Sequence, residues 1–135
     1  RPFLFEGCVS RAPATVLVDS GASSSFVSMQ WCQKHHINPI PLLSYGRLAD
    51  QSSFRIHGKL SKAHLRLGGF RTKHEFLVAD LPGLEVVLGL DFLEKYEPEL
   101  KWRKRRIHIK DPNPKVDNEY VIHAKKNNVF ASHRF

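Results

Sequence analysis

Val16-Leu17-Val18-Asp19-Ser20-Gly21-Ala22-Ser23 carries an apolar strand directly onto a carboxylate, then a hydroxyl, then a glycine. A buried strand holds the backbone at Asp19, so the acid is fixed rather than free to wander. Gly21 has no side chain to keep another main chain away. Ser20 both donates and accepts hydrogen bonds, which suits a residue that braces a loop against a counterpart. In isolation, Asp19 also reads as a strand-end residue capping an ordinary turn.

Strand-like runs broken by Gly, Pro and Ser surround this stretch on both sides, which argues for a mostly β domain. Residues 3–9 alternate, with Phe3 and Phe5 on one face. After the small residues 21–25 comes a helical segment over 28–36, with Val27 and Trp31 on one face, closed by Asn38-Pro39. Residues 47–60 read as a hairpin with its tip at Asp50-Gln51-Ser52-Ser53. A second hairpin joins 62–67 to 71–78 through Gly68-Gly69. Residues 84–88 are an almost unbroken apolar run, the pattern of a strand covered on both faces. A short helix over 91–96, with Asp91 as its cap, and a last strand over 102–109 follow, with Trp31 and Trp102 as core anchors. Asp111-Pro112-Asn113-Pro114 then breaks regular structure. The expected domain is 1–112, with 113–135 a tail or linker toward a further domain.

The totals agree with one folded domain. A chain of 135 residues with 41% hydrophobic and 25% charged residues can bury a core of its own. Two cysteines, Cys8 and Cys32, are too few for a disulfide scaffold and read as free thiols of a reducing compartment. No apolar run approaches the length of a membrane span, so no membrane partner is expected. The first residue, Arg1, fits release from a larger precursor. Much of the net charge of +8 lies in residues 101–106 and the C-terminal tail. A solvated strand edge and linker is the preferred reading. Nucleic-acid contact is the alternative, lacking the aromatic interleaving of a recognised module. Cys32 with His35 and His36 offers one ligand pair and no second, so no metal is expected. His57, His64 and His74 read as exposed strand residues.

A second string, Val86-Val87-Leu88-Gly89-Leu90-Asp91-Phe92-Leu93, lies about seventy residues after the first. The two together resemble the paired signatures of the retropepsins, Asp-Thr/Ser-Gly-Ala followed by an apolar run ending in Gly-x-Asn/Asp. The wording Leu88-Gly89-Leu90-Asp91-Phe92-Leu93 looks most like the proteases of Gypsy-type long-terminal-repeat elements. Leu48-Ala49-Asp50 with Gly58 is similar to their flap, and residues 102–109 to their last strand. The resemblance covers about residues 3–110. Three positions depart from it. Ser23 and Leu90 replace an Asp and an Arg that pair within many retroviral subunits. The hairpin tip has no glycine at 50–53. The helical segment at 28–36 is longer than in short retroviral enzymes, a feature of retrotransposon proteases and of ubiquitin-shuttle proteins.

The resemblance implies an all-β, retropepsin-like closed acid-protease barrel with one or two short helices, active as a C2 homodimer. It implies an aspartic endopeptidase that matures its own Gag-Pol-like polyprotein inside cytoplasmic virus-like particles. One carboxylate cannot both deprotonate a water and protonate an amide, whereas two aspartates sharing a proton can. The chain holds one Asp-Ser-Gly, so a two-fold dimer would supply the second. Asp19, Ser20 and Gly21 would then form the catalytic loop. Ala22, Ser23, Ala49, Asp50, Gln51, Ser52 and Ser53 would meet a peptide, and Leu88, Gly89 and Asp91 would scaffold the loop. No cofactor is required. The rival expectation is a host-adopted or ubiquitin-shuttle-type domain that serves dimerisation or protein binding.

Overall fold

The structure, a computed structural model, describes residues 2–48 and 50–126. Strands β1 (Phe3–Val9) and β2 (Ala12–Val18) form a hairpin whose turn residues Ser10 and Arg11 both have positive φ, 49° and 66°. Two left-handed residues match the twist of the flanking strands. Phe3, Phe5 and Val9 of β1 and Ala14, Val16 and Val18 of β2 alternate into the core. β3 (Phe26–Ser28) leads into α1 (Met29–Lys34), where the Ser28 side chain accepts from the Trp31 N–H at 3.2 Å. The indole of Trp31 donates to Pro13 O at 3.0 Å, pinning this short helix against the first hairpin. The helix is shorter than the expected 28–36, because His36 turns left-handed at φ 57°.

β4 (Ile40–Arg47) and the long β5 (Ser53–Leu67) make the first large hairpin, and β5 pairs again with β6 (Phe70–Ala79). Register shifts between Ile56 and Gly58 and between Leu60 and Ala63 bend β5, so one strand serves both the projecting hairpin and the barrel wall. β7 (Val86–Leu88) lies between β2, to which it is parallel, and β3, to which it is antiparallel. All three of its residues are buried, as the unbroken apolar run requires. The order β1-β2-β7-β3-β6-β5 closes on itself through β1–β5 pairing, and β4 continues past β5 at the edge. Closure needs Gly7, because a Cβ there would stand 2.6 Å from Arg66 O. This is the expected closed barrel, here of six strands, with two short helices.

α2 (Leu90–Tyr96) follows β7 and buries Phe92. β8 (Glu99–Lys101), β9 (Arg106–Lys110) and β10 (Glu119–His123) then form a small antiparallel sheet. Two expectations change here. The expected strand over 102–109 begins only at Arg106, because residues 102–105 form the turn from β8, with Arg105 at φ 55° and Trp102 at the turn's start. Its ring is stacked on Phe3 at 4.7 Å but remains 57% exposed, so it lids the core edge instead of anchoring it.

Residues 113–126 are also not a linker. β10 pairs with all five residues of β9 and buries Ile122 against Ile107 and Ile109. The chain is tied further by Ala124 N–H to Arg105 O at 2.7 Å and Lys125 N–H to Leu4 O at 2.7 Å. The Pro-rich break at 111–114 is a connection between strands and leaves the domain unfinished. The remainder of the expected tail, 127–135, lies outside the described residues. Among the described residues no helix is long and apolar enough to cross a membrane.

Candidate active site

β2 ends at Val18, and the pairing with β7 is extended by one bond, Asp19 N–H to Leu88 O at 3.0 Å. Asp19 is therefore the first residue off a ladder whose partners are buried. Its carbonyl accepts from Ala22 N–H at 3.2 Å, closing the turn, and its Oδ1 accepts from Gly21 N–H at 2.8 Å. A Cβ on Gly21 would stand 3.0 Å from that same Oδ1. Glycine thus lets the backbone N–H reach the carboxylate and leaves the acid uncovered. Asp19 is half-buried, while Ser20, Gly21 and Ser23 are exposed and Ala22 is half-buried. The loop offers its acid outward from a rigid base.

Leu88, Gly89 and Asp91 form that base. The Leu90 N–H donates to Ala22 O at 2.7 Å, and Gly89 N–H donates to Ser25 Oγ at 3.1 Å. A Cβ on Gly89 would lie 2.2 Å from Ser24 O and 2.6 Å from Ala22 O. Only glycine allows the two segments to touch. Asp91 does not cap α2: the N-cap position is Gly89, without a side-chain bond. Its carboxylate instead accepts from Ser25 Oγ at 2.7 Å and faces His74 Nε2 at 3.0 Å. His74, expected to be exposed, is 8% exposed and boxed by Phe76 and Phe92. Its even position along β6, between Phe70 and Phe76, carried the signal for an inward side chain.

The β4–β5 hairpin has its tip at residues 48–52. Leu48 N–H bonds Ser52 O at 2.8 Å, and Gln51, at φ 71°, bonds Leu48 O at 3.0 Å. Asp50 accepts from Ser52 N–H at 2.9 Å and from its hydroxyl at 2.5 Å. These bonds hold the Asp50 carboxyl below its usual range. Side-chain and backbone bonds do here what glycine does in more open turns. Ala49 lies outside the described residues, and Ser53 begins β5. At its base the hairpin meets the floor through Phe54 and Phe26, with ring centroids 5.7 Å apart.

The sequence reading missed the apolar surface flanking this site. Leu43 is 77%, Tyr45 64% and Leu48 52% exposed along the hairpin, with Leu90 also exposed beside the Asp19 loop. The Leu42-Leu43-Ser44-Tyr45 run following Pro41 was the available signal. A separate concavity of about 900 Å³, lined by Glu6, Thr15, Lys34, Arg66, Glu85 and Lys125 among others, includes none of the signature residues. Cys32 is buried, and burial pushes its thiol up to about 11. Among the described residues no group of three or more His, Cys, Asp or Glu could hold a metal ion.

The model of the PEG10/RTL1 protease domain matches residues 15–116, a span holding both signatures, the hairpin and the first two strands of the small sheet. The chain belongs to the PEG10/RTL1 protease domain family. No curated protein gives a match. Among solved structures, this PEG10/RTL1-type domain is similar to the retroviral protease-like domain of Ddi1 from Leishmania major. The TM-score is 0.67 and the identity 15%, over 93% of this chain and 95% of that one. It is also similar to the EIAV protease complexed with the inhibitor HBY-793, with a TM-score of 0.58 and 20% identity, over 73% of this chain and 90% of that one. At these identities the likeness is one of fold, and the fold is that of a retropepsin-like aspartic protease.

Proposed function

We propose that the domain is an aspartic endopeptidase of a retrotransposon or retrovirus-like element, nearest in wording to Gypsy-type proteases. Its activity would come from a C2 homodimer in which each subunit contributes Asp19. The observation that carries this reading is the Asp19 loop itself: a carboxylate projected from a buried ladder, uncovered by Gly21 and fixed from behind by residues 88–91. Two such loops facing across a two-fold axis place two carboxylates together. A water between them loses a proton to one aspartate and attacks the scissile carbonyl. The other, protonated, donates to the carbonyl oxygen, and proton transfer to the amine releases the product. The apolar hairpins would cover an extended peptide, and the natural substrate would be the element's own Gag-Pol-like precursor in a cytoplasmic particle. No cofactor enters this chemistry.

A second reading draws support from the Ddi1 likeness, which spans more of the chain than the EIAV likeness does. The domain would then be host-adopted and serve dimerisation or protein binding. A nucleic-acid role for residues 101–106 has less support, because several of these cations are engaged internally. Lys101 pairs with Glu99, and Arg105 donates to Pro2 O at 2.6 Å and lies over Phe3. The test is cleavage of a peptide library by wild type and Asp19→Asn at matched protein concentration. Cleavage that vanishes in the variant supports the protease. A folded dimer that cleaves nothing from mildly acidic to neutral pH moves the assignment to the binding module.

A further inference from the structure

We propose that His74 is a positioning residue for the Asp19 loop, acting through Asp91 and Ser25 on the Gly89 amide. The inference rests on the protease reading for its effect on rate, though the positioning itself does not. Ser25 Oγ has one hydrogen and gives it to Asp91 Oδ1 at 2.7 Å, which leaves a lone pair for Gly89 N–H at 3.1 Å. That arrangement holds only while the Asp91 carboxylate keeps its orientation. The carboxylate is about one-third exposed, so solvent competes for it. His74 Nε2, 3.0 Å from Oδ2, supplies the second fixed contact.

The four members come from different places. Ser25 ends the active-site loop, Gly89 and Asp91 belong to the second signature, and His74 is on β6. His74 is therefore the one member of this set on the barrel wall. Its ring cannot swing, because Phe76 and Phe92 meet it nearly edge-on at 5.4 Å and 5.5 Å. The wall thus aligns Asp91, Asp91 aligns the Ser25 hydroxyl, and the hydroxyl holds Gly89 against Ala22 O and Ser24 O. Those two carbonyls belong to the loop that carries Asp19. Losing the donor would loosen the loop without emptying the core, which distinguishes this role from simple packing.

The test compares His74→Gln, whose amide N–H reaches the Nε2 position, with His74→Phe, which keeps the volume and removes the donor. Amide exchange in the full chain is read at Gly89 and Leu90, with Phe76 and Val87 as references. His74→Phe is expected to speed exchange at Gly89 about tenfold, the size of one lost hydrogen bond, and to leave the references unchanged. His74→Gln should restore protection. In peptide cleavage, kcat should fall in His74→Phe and recover in His74→Gln, with KM within about twofold of wild type. If His74→Phe does not fold, His74→Leu removes the same contact to Asp91 with a smaller side chain and is read at Gly89 in the same way. Unchanged Gly89 exchange in the folded variant, or equal acceleration at all four amides, overturns the proposal. If wild type cleaves nothing, the protease reading fails, and the exchange data still decide the positioning role.

Discussion

Gly89→Ala puts a methyl group where two backbone oxygens already stand, 2.2 Å and 2.6 Å away. Ordinary C···O contacts begin near about 3.3 Å, so the loop would have to retreat by roughly 1 Å. Backbone oxygens cannot swing aside as a side-chain tip can. Such a retreat stretches two bonds, Leu90 N–H to Ala22 O and Gly89 N–H to Ser25 Oγ. Each is worth about 1 kcal/mol, and the overpacking adds about 1–3 kcal/mol. A total of about 3–5 kcal/mol lowers the melting temperature by about 12–20 °C, at roughly 4 °C per kcal/mol for a domain of this length. Gly83→Ala is the comparison. It has nothing within 4 Å but sits at φ +74°, so it should cost only about 1 kcal/mol of backbone strain. Thermal unfolding by circular dichroism reads both. If Gly89→Ala melts within about 3 °C of wild type, the close packing of the two signatures is not what holds the loop.

Three further expectations follow from the packing. A chain ended at residue 112 removes β10 and the buried Ile122, which should cost about 2–4 kcal/mol and lower the urea midpoint; a linker would leave the midpoint unmoved. Cys32 should resist a thiol reagent at pH 8 while half-buried Cys8 reacts, and both should react in denaturant. The buried thiol also sets a sign: the unfolded form ionises near 9.0 and the folded form near 11. Its contribution is complete below 9 and is lost as pH rises toward 11, so urea midpoints should decline through that window, and decline less in Cys32→Ala.

The parts of this molecule legible in its sequence are those set by local backbone demands. Asp19-Ser20-Gly21 and Leu88-Gly89 announce themselves because each residue type answers a steric or hydrogen-bonding need of its immediate neighbours. Alternating and Gly-punctuated runs announced a mostly β domain, the closed barrel was implied only by the resemblance of the two signatures to a known family, and β7 followed from an apolar run with no polar face. What escaped depends on partners distant in the chain. His74 meets Asp91 only after β6 and α2 pack, and Asp91 gives up the capping role that its position suggests. The strand at Glu119–His123 was hidden behind Pro112 and Pro114, although Tyr120 and Ile122 alternate correctly. Ser10-Arg11 forms a tight turn without the glycine or asparagine that usually signals one. Trp102 shows that a large aromatic ring can cover a core edge while keeping much of its area in water.

The central claim is that two Asp19 carboxylates, one per subunit, act together. The most direct test mixes wild type with Asp19→Asn at fixed total protein and measures peptide cleavage. Asparagine keeps an oxygen to accept from Gly21 N–H, so the variant should fold and exchange subunits freely. If both acids are needed, only wild-type pairs cleave, and an equal mixture retains about a quarter of the activity. Activity that instead falls to about one half, in step with the wild-type fraction, would mean that each subunit works alone and would contradict the shared site.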